Sequence, residues 1–184
     1  MYNSPKLVCG RPISKDIMVP YLVLYDTRWE IRASAVRNPK LCDENLLKDV
    51  VLYDYHHGVR RAALENPNLN MQSLFEFIVQ HESDYGLRSA AAKRLENEDA
   101  LIKIALDDSR WAVRLSAVEN PHLNDSDTLI KSALTDPIIE VRMSAIDRIT
   151  DENALADIAE NDEVKKVRRK AGKRLNDLNQ DSNE

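Results

Sequence analysis

Glycine is scarce in this sequence, with four residues among 184. A β-rich architecture or a glycine-rich phosphate cradle needs more positions of unusual backbone freedom or close approach. Helix is therefore favoured before any pattern is read. Cysteine is scarcer still: Cys9 and Cys42 stand apart, in no metal-ligand spacing and without the density of a disulfide scaffold. Long apolar runs are missing too, since the longest, Ile17 to Tyr25, contains Pro20 and falls far short of a membrane span. Residues Met1 to Lys6 show no charged stretch followed by an apolar one, so no signal peptide is expected, and the chain reads as cytoplasmic and reduced. The histidines are His56, His57, His81 and His122. Adjacent His56 and His57 point to different sides of a helix and do not have the i, i+4 spacing of a helical metal pair. With no nucleophile elbow and no CxxC, no catalytic residue, metal or cofactor is expected.

What is present begins with charge. The net charge is −5, but its distribution is more informative than its sum. Residues 1–95 hold 13 basic and 11 acidic side chains, whereas residues 96–163 hold 6 basic and 17 acidic ones. Seven basic residues, Lys165 to Arg174, then crowd the last stretch. An acidic face favours basic partners and repels nucleic-acid backbone.

An internal repeat organises the rest. An aliphatic–arginine pair recurs at Ile31–Arg32, Val59–Arg60, Leu87–Arg88, Val113–Arg114, Val141–Arg142 and Val167–Arg168. Alanine follows each arginine by three residues, at Ala35, Ala63, Ala91, Ala117, Ala145 and Ala171. Aspartate precedes five of them by six residues, at Asp26, Asp54, Asp108, Asp136 and Asp162, while the third repeat has Glu82. The arginines are 28, 28, 26, 28 and 26 residues apart. The longer intervals are those in which Asn-Pro closes the unit, at Asn38–Pro39, Asn66–Pro67 and Asn120–Pro121; Arg94 and Arg148 replace it in the shorter ones. Proline pushes the preceding residue out of the helical region, so the helix stops early and a longer turn follows.

Each unit reads as two helices. The first carries apolar residues at helical spacing, as in Leu46, Leu47, Val50 and Val51, or Leu101, Ile102, Ala105 and Leu106. The aspartate is expected to N-cap the second helix. A single unit cannot bury its apolar stripe, whereas a stack can. The expected fold is all-α: a right-handed α-solenoid of about six helix–turn–helix repeats of 26–28 residues. The repeats would span residues 14–175, between an N-terminal segment, 1–13, and a polar, frayed tail, 176–184.

Two stretches, Val59 to Pro67 and Val113 to Pro121, resemble the leucine-rich variant repeat, and the Asp-to-Arg spacing is similar to that of HEAT repeats. The resemblance implies a ladder in which the two residue types bond along the stack. Leucine-rich variant proteins can carry an iron–sulfur cluster in a cysteine-rich N-terminal segment; Cys9 alone does not supply the ligands.

One column of the repeat, three residues before each arginine, holds Trp29, His57, Tyr85, Trp111, Ile139 and Lys165, and so both tryptophans of the chain. The column before it holds Arg28, His56, Asp84, Arg110, Ile138 and Val164. Stacked, these columns would form a stripe of rings flanked by cations, and Trp, Tyr and Arg are the residue types that most often anchor interfaces. The ring position lies roughly 160° around the helix from the aliphatic position and roughly 60° from the arginine. A ring there could either face a partner or wedge between repeats. Asp107, Asp108, Asp136 and Glu140 lie near the stripe as candidate acidic contacts. The column arginines read as structural partners of the acidic residues rather than as phosphate ligands.

These features point to a protein-binding scaffold, in its sharpest form an inhibitor or immunity-type protein that occludes a basic partner such as a nuclease toxin. The alternative is a nucleic-acid-binding protein similar to the HEAT-like DNA glycosylases, with Trp29, Tyr85, Trp111, Asp84, Arg28 and Arg110 as its set. The acidic balance weighs against it. Short HEAT-like repeats also occur in bilin lyase-like proteins, but no residue set here fits that chemistry.

Overall fold

The computed structural model describes residues 15–181 and is all-helical, with twelve helices and no strand among the described residues. Contacts group the chain into two compact units that divide between Asn70 and Met71. The first contains α1 (Lys15–Tyr25), α2 (Trp29–Val36), α3 (Glu44–Tyr53) and α4 (His57–Leu64). The second contains α5 (Gln72–His81), α6 (Tyr85–Ala92), α7 (Glu98–Asp107), α8 (Trp111–Val118), α9 (Ser126–Thr135), α10 (Ile139–Ile146), α11 (Glu152–Asn161) and α12 (Lys165–Asp181). No helix among the described residues is long and apolar enough to cross a membrane. The segment 1–13 and Cys9 lie outside the described residues. At the other end α12 runs on to Asp181, so helix extends into the stretch that the sequence reads as a frayed tail.

Within each unit the helices pack in consecutive pairs. In the first, α1 packs on α2 and α3 on α4, and α2 also meets α4. In the second, α5 packs on α6, α7 on α8, α9 on α10 and α11 on α12; α6, α8, α10 and α12 meet in succession, as do α7, α9 and α11. The alanine column makes those approaches close: Ala63, Ala91, Ala117, Ala145 and Ala171 are fully buried. Leu47, Leu101 and Leu155 fill the space on the first-helix side, each such side chain stabilising by about 1.5–3 kcal/mol. On α7 the buried set is Leu101, Ile104 and Ala105; Ile102 and Leu106 are only half-buried.

The repeated aspartate does not N-cap the second helix, contrary to the expectation. It stands two residues before the capping position, at the end of the first helix, where its carboxylate accepts from the N–H of the capping residue. Asp26 accepts from Arg28, Asp54 from His56, Asp108 from Arg110, Asp136 from Ile138 and Asp162 from Val164, all at 2.7–2.9 Å. Glu82 does the same for the Asp84 N–H at 3.0 Å. In Asp54, Asp108, Asp136 and Asp162 the carboxylate is thereby aimed at the arginine of the preceding pair. Arg32 donates to both oxygens of Asp54 at 2.8 and 3.0 Å, Arg88 to Asp108 at 2.9 and 3.0 Å, and Arg114 to Asp136 at 2.6 and 2.9 Å. Arg142 pairs with Asp162 at 3.1 Å. Each of these arginines also donates to the backbone carbonyl six residues before it: Asp26, Glu82, Asp108 and Asp136 respectively.

A second set of bonds ties the other end of the helical pairs. Asn66 donates to the Val36 carbonyl at 2.6 Å, and Asn120 to those of Ala92 and Leu95 at 2.7 and 2.8 Å. Arg148, which occupies the same repeat position as Asn120, donates to the carbonyls of Val118, Asn120 and Leu123. Arg174, one repeat on, donates to the Ile149 carbonyl. The Asn-to-Arg exchange seen in the sequence therefore keeps one task, capping the helix end of the preceding pair, with a longer side chain. The two arginine sets differ electrostatically. Carboxylate hydrogen bonds raise the pKa of Arg32, Arg88 and Arg114, whereas burial lowers that of Arg148.

Asn120 is 2% exposed, so Asn120→Ala strands two buried carbonyls. A loss of about 1–3 kcal/mol is expected in urea unfolding, against less than about 0.5 kcal/mol for Asn124→Ala on the surface nearby.

Candidate functional site

The second helices begin at the ring column, which places each ring in the first helical turn. Trp29, Tyr85 and Trp111 are 40%, 52% and 46% exposed, so each buries part of its ring and presents the rest. In the first unit Trp29 stacks on His56 with centroids 4.1 Å apart and planes 9° from parallel; His56 in turn stacks on His57 at 5.0 Å. His56 caps α4, its Nδ1 accepting from the Gly58 N–H at 3.2 Å, which assigns the proton of the neutral ring to Nε2. A Cβ on Gly58 would stand 3.1 Å from that Nδ1 and 3.3 Å from Trp29 Cζ3. Glycine is what lets both rings close over the helix start.

The same device recurs in the second unit. Asp84 caps α6, accepting from Gly86 and Leu87, and a Cβ on Gly86 would stand 3.0 Å from its Oδ1. Where the capping residue makes no side-chain cap, at Arg28, Arg110 and Ile138, the glycine position holds Glu30, Ala112 and Glu140. The polar column is thus divided. His56 and Asp84 turn inward to cap, while Arg28 and Arg110 are exposed.

Arg28 folds back onto Asp26, with bonds of 3.0 and 2.9 Å to its two oxygens. Arg110 lies over the Tyr85 ring at 5.5 Å, a cation–π contact. Trp111 has no ring or guanidinium stacked on it among the described residues. The structure brings together Trp29 with His56 and His57, and Tyr85 with Arg110.

The acidic candidates separate as well. Asp108 and Asp136 lie in the arginine ladder, with side chains 10% and 5% exposed. Their carboxylates already hold Arg88 and Arg114 and are not open to a partner. Asp107 and Glu140 are exposed. Among the described residues no cluster of three or more His, Cys, Asp or Glu side chains is placed to hold a metal, and Cys42 is exposed and free. Three exposed tyrosines, Tyr25, Tyr53 and Tyr55, were not singled out by the sequence. They fall seven and five residues before a column arginine, where other repeats hold His81, Asp107, Thr135 and Asn161, or Ser83, Ser109, Pro137 and Glu163. Tyrosine recurs at the first of these positions only in the first two repeats, so neither position gave a signal that runs through the whole stack.

Asp26 provides a pH test of this surface. Side-chain and backbone hydrogen bonds from Arg28 lower its pKa from 3.8 to about 2. Its folded value is depressed, so its contribution to stability is complete above the ordinary carboxylate value and is lost as pH falls through about 2. A carboxyl NMR titration should give a midpoint near 2 in the native protein, moving back toward 3.8 in Arg28→Gln. An unmoved midpoint in that variant would show that Arg28 is not tied to Asp26. In comparisons with known proteins, no protein-family model and no curated protein matches the chain.

Proposed function

We propose that this chain is a non-enzymatic protein-binding scaffold: a right-handed α-solenoid of about six HEAT-like or leucine-rich-variant-like repeats that occludes a basic partner, in the manner of an inhibitor or immunity protein. The observation that carries the binding role is the half-exposure of Trp29, Tyr85 and Trp111 on short, well-anchored helices. A ring needed only as a wedge would be covered, and a ring with no structural support would be floppy. These rings are held on one side and open on the other, the geometry of an interface anchor.

Electrostatics supports a basic partner. The ladder arginines spend their guanidinium groups on aspartates and carbonyls, which leaves few of them to contact phosphate. The segment 96–163 keeps its excess of carboxylates, with Asp107 and Glu140 exposed among them. Occlusion by a rigid surface, with charge complementarity speeding encounter, requires no chemistry from the scaffold.

The test is affinity capture with the full chain from its source cell, with and without nuclease, followed by titration of the captured protein against variants. A basic protein bound stoichiometrically and indifferent to nuclease is expected. Trp111→Ala should weaken its binding by about 30-fold or more, the effect of losing an interface anchor of about 2 kcal/mol, with unchanged helix content. A large fall in melting temperature with unchanged binding would make Trp111 a core residue and remove the site. Capture that disappears with nuclease would point to nucleic acid instead.

A further inference from the structure

Two cavities occupy the same place in the repeat, one in each unit. The first, about 510 Å³, lies at the ends of α1 and α3; Val50 and the Arg32–Asp54 pair line it together with Asp49, Tyr25, Tyr53 and Tyr55. The second, about 350 Å³, lies at the ends of α9 and α11; Ile158 and the Arg142–Asp162 pair line it together with Asp157, Thr135, Asn161 and Glu163. Counted from the column arginine of each repeat, Asp157 falls where Asp49 falls, and Thr135, Asn161 and Glu163 where Tyr25, Tyr53 and Tyr55 fall. The second cavity is an internal control. It shows that the fold builds this place without any aromatic ring.

Tyr55 has a structural reason to be there, since Arg32 lies over its ring at 4.3 Å, but Tyr25 and Tyr53 have none in the ladder. Tyr53 and Tyr55 are each 78% exposed, so their rings add little to the core. They are not loosely placed, however. Tyr55 Oη accepts from Arg32 at 2.8 Å and donates to the Thr27 carbonyl at 3.2 Å, and Tyr25 is braced by the Tyr21 ring at 5.1 Å.

Replacing asparagine by tyrosine also changes the neighbouring carboxylate. Asn161 Nδ2 donates to Asp157 at 2.7 Å. Tyr53 has no such donor one turn from Asp49, and Asp49 makes no hydrogen bond or ion pair with a described residue. The other charges of the groove are matched, Asp26 with Arg28 and Asp54 with Arg32. One half-buried, uncompensated carboxylate remains beside three phenol rings. Rings and an unpaired carboxylate together favour a cation, and a planar guanidinium can both stack on rings and pair with the carboxylate.

We propose that this groove receives one basic side chain, arginine best, from a protein partner, with Tyr25 and Tyr53 against it and Asp49 paired to it, beside a Tyr55 ring that Arg32 already covers at 4.3 Å. The proposal rests on the protein-binding reading above and names a site distinct from the ring column.

The test uses the full, isotope-labelled chain and three probes in NMR titration: N-acetylarginine methylamide, the uncharged N-acetylnorleucine methylamide, and tetramethylammonium. The arginine probe should shift the amides of residues 23–27 and 49–55 saturably, and the norleucine probe should not. Tyr53→Ala should weaken the arginine probe by about 3- to 10-fold with unchanged helix content, and Asp49→Asn by about threefold or more. Equal shifts from the norleucine probe, or full affinity in Tyr53→Ala, would overturn the proposal. Tighter binding of tetramethylammonium than of the arginine probe would also overturn it, in favour of a small free ammonium ligand. The two readings fail separately. Partner capture that is weakened by Trp111→Ala but untouched by Tyr53→Ala removes only this groove. Saturable arginine binding here, with capture indifferent to Trp111→Ala, supports the groove and removes the ring column.

Discussion

The arginine–aspartate pair that joins successive helical pairs within each unit is the interaction on which the rest of this structure depends. Each carboxylate does two things at once: it fixes the turn into its own second helix and receives the guanidinium of the pair before it. Each guanidinium in turn binds a backbone carbonyl of its own turn. Burying such charges is costly, and the geometry must offset that cost in full. Arg32, Arg114 and Arg142 are less than a tenth exposed, and each faces an aspartate carboxylate. Removing one member of such a pair typically costs about 3–5 kcal/mol, because the other is left charged and unmatched. The circuit also fixes register, since a slip of one residue would break three bonds per step.

This constraint divides the side chains between frame and surface. The regular columns, alanine, aliphatic and arginine, are taken up by packing and by the ladder. Asn66, Asn120 and Arg148 close the far ends of the helices. What is left open to solvent lies in columns that the ladder does not use: the rings Trp29, Tyr85 and Trp111 at the start of second helices, the rim of the groove beside Tyr53, and exposed carboxylates such as Asp107 and Glu140. Negative charge that looks uniform along 96–163 is therefore of two kinds, one neutralised inside the fold and one facing solvent.

Much of the frame is legible in the sequence because it recurs. The arginine and alanine columns, the paired helices and the inward task of the arginines all follow from spacing. The aspartate was placed in the right region with the wrong role, because an Asx-type turn and an N-cap put the same residue types within two positions of each other. The equivalence of Asn120 and Arg148 appears in sequence only as a change of interval; that both reach back to carbonyls of the preceding pair depends on three-dimensional distance. Gly58 and Gly86 look incidental until the inward caps His56 and Asp84 are seen above them. Of the candidate site, the ring column was legible, but angular position alone could not decide between wedge and exposed anchor. Tyr53 and Tyr55 were not legible, since tyrosine recurs at the position of Tyr53 only once, at Tyr25, and at the position of Tyr55 not at all.

The central claim is that the column arginines belong to the frame and not to a binding surface. The direct measurement is a double-mutant cycle on Arg114 and Asp136 by urea unfolding. Each single alanine variant should lose several kcal/mol, and the pair should be coupled by at least about 1 kcal/mol, well beyond the additivity of independent sites. Additive effects within about 0.5 kcal/mol, with Arg114→Ala near native stability, would contradict the account and return the arginine column to the surface.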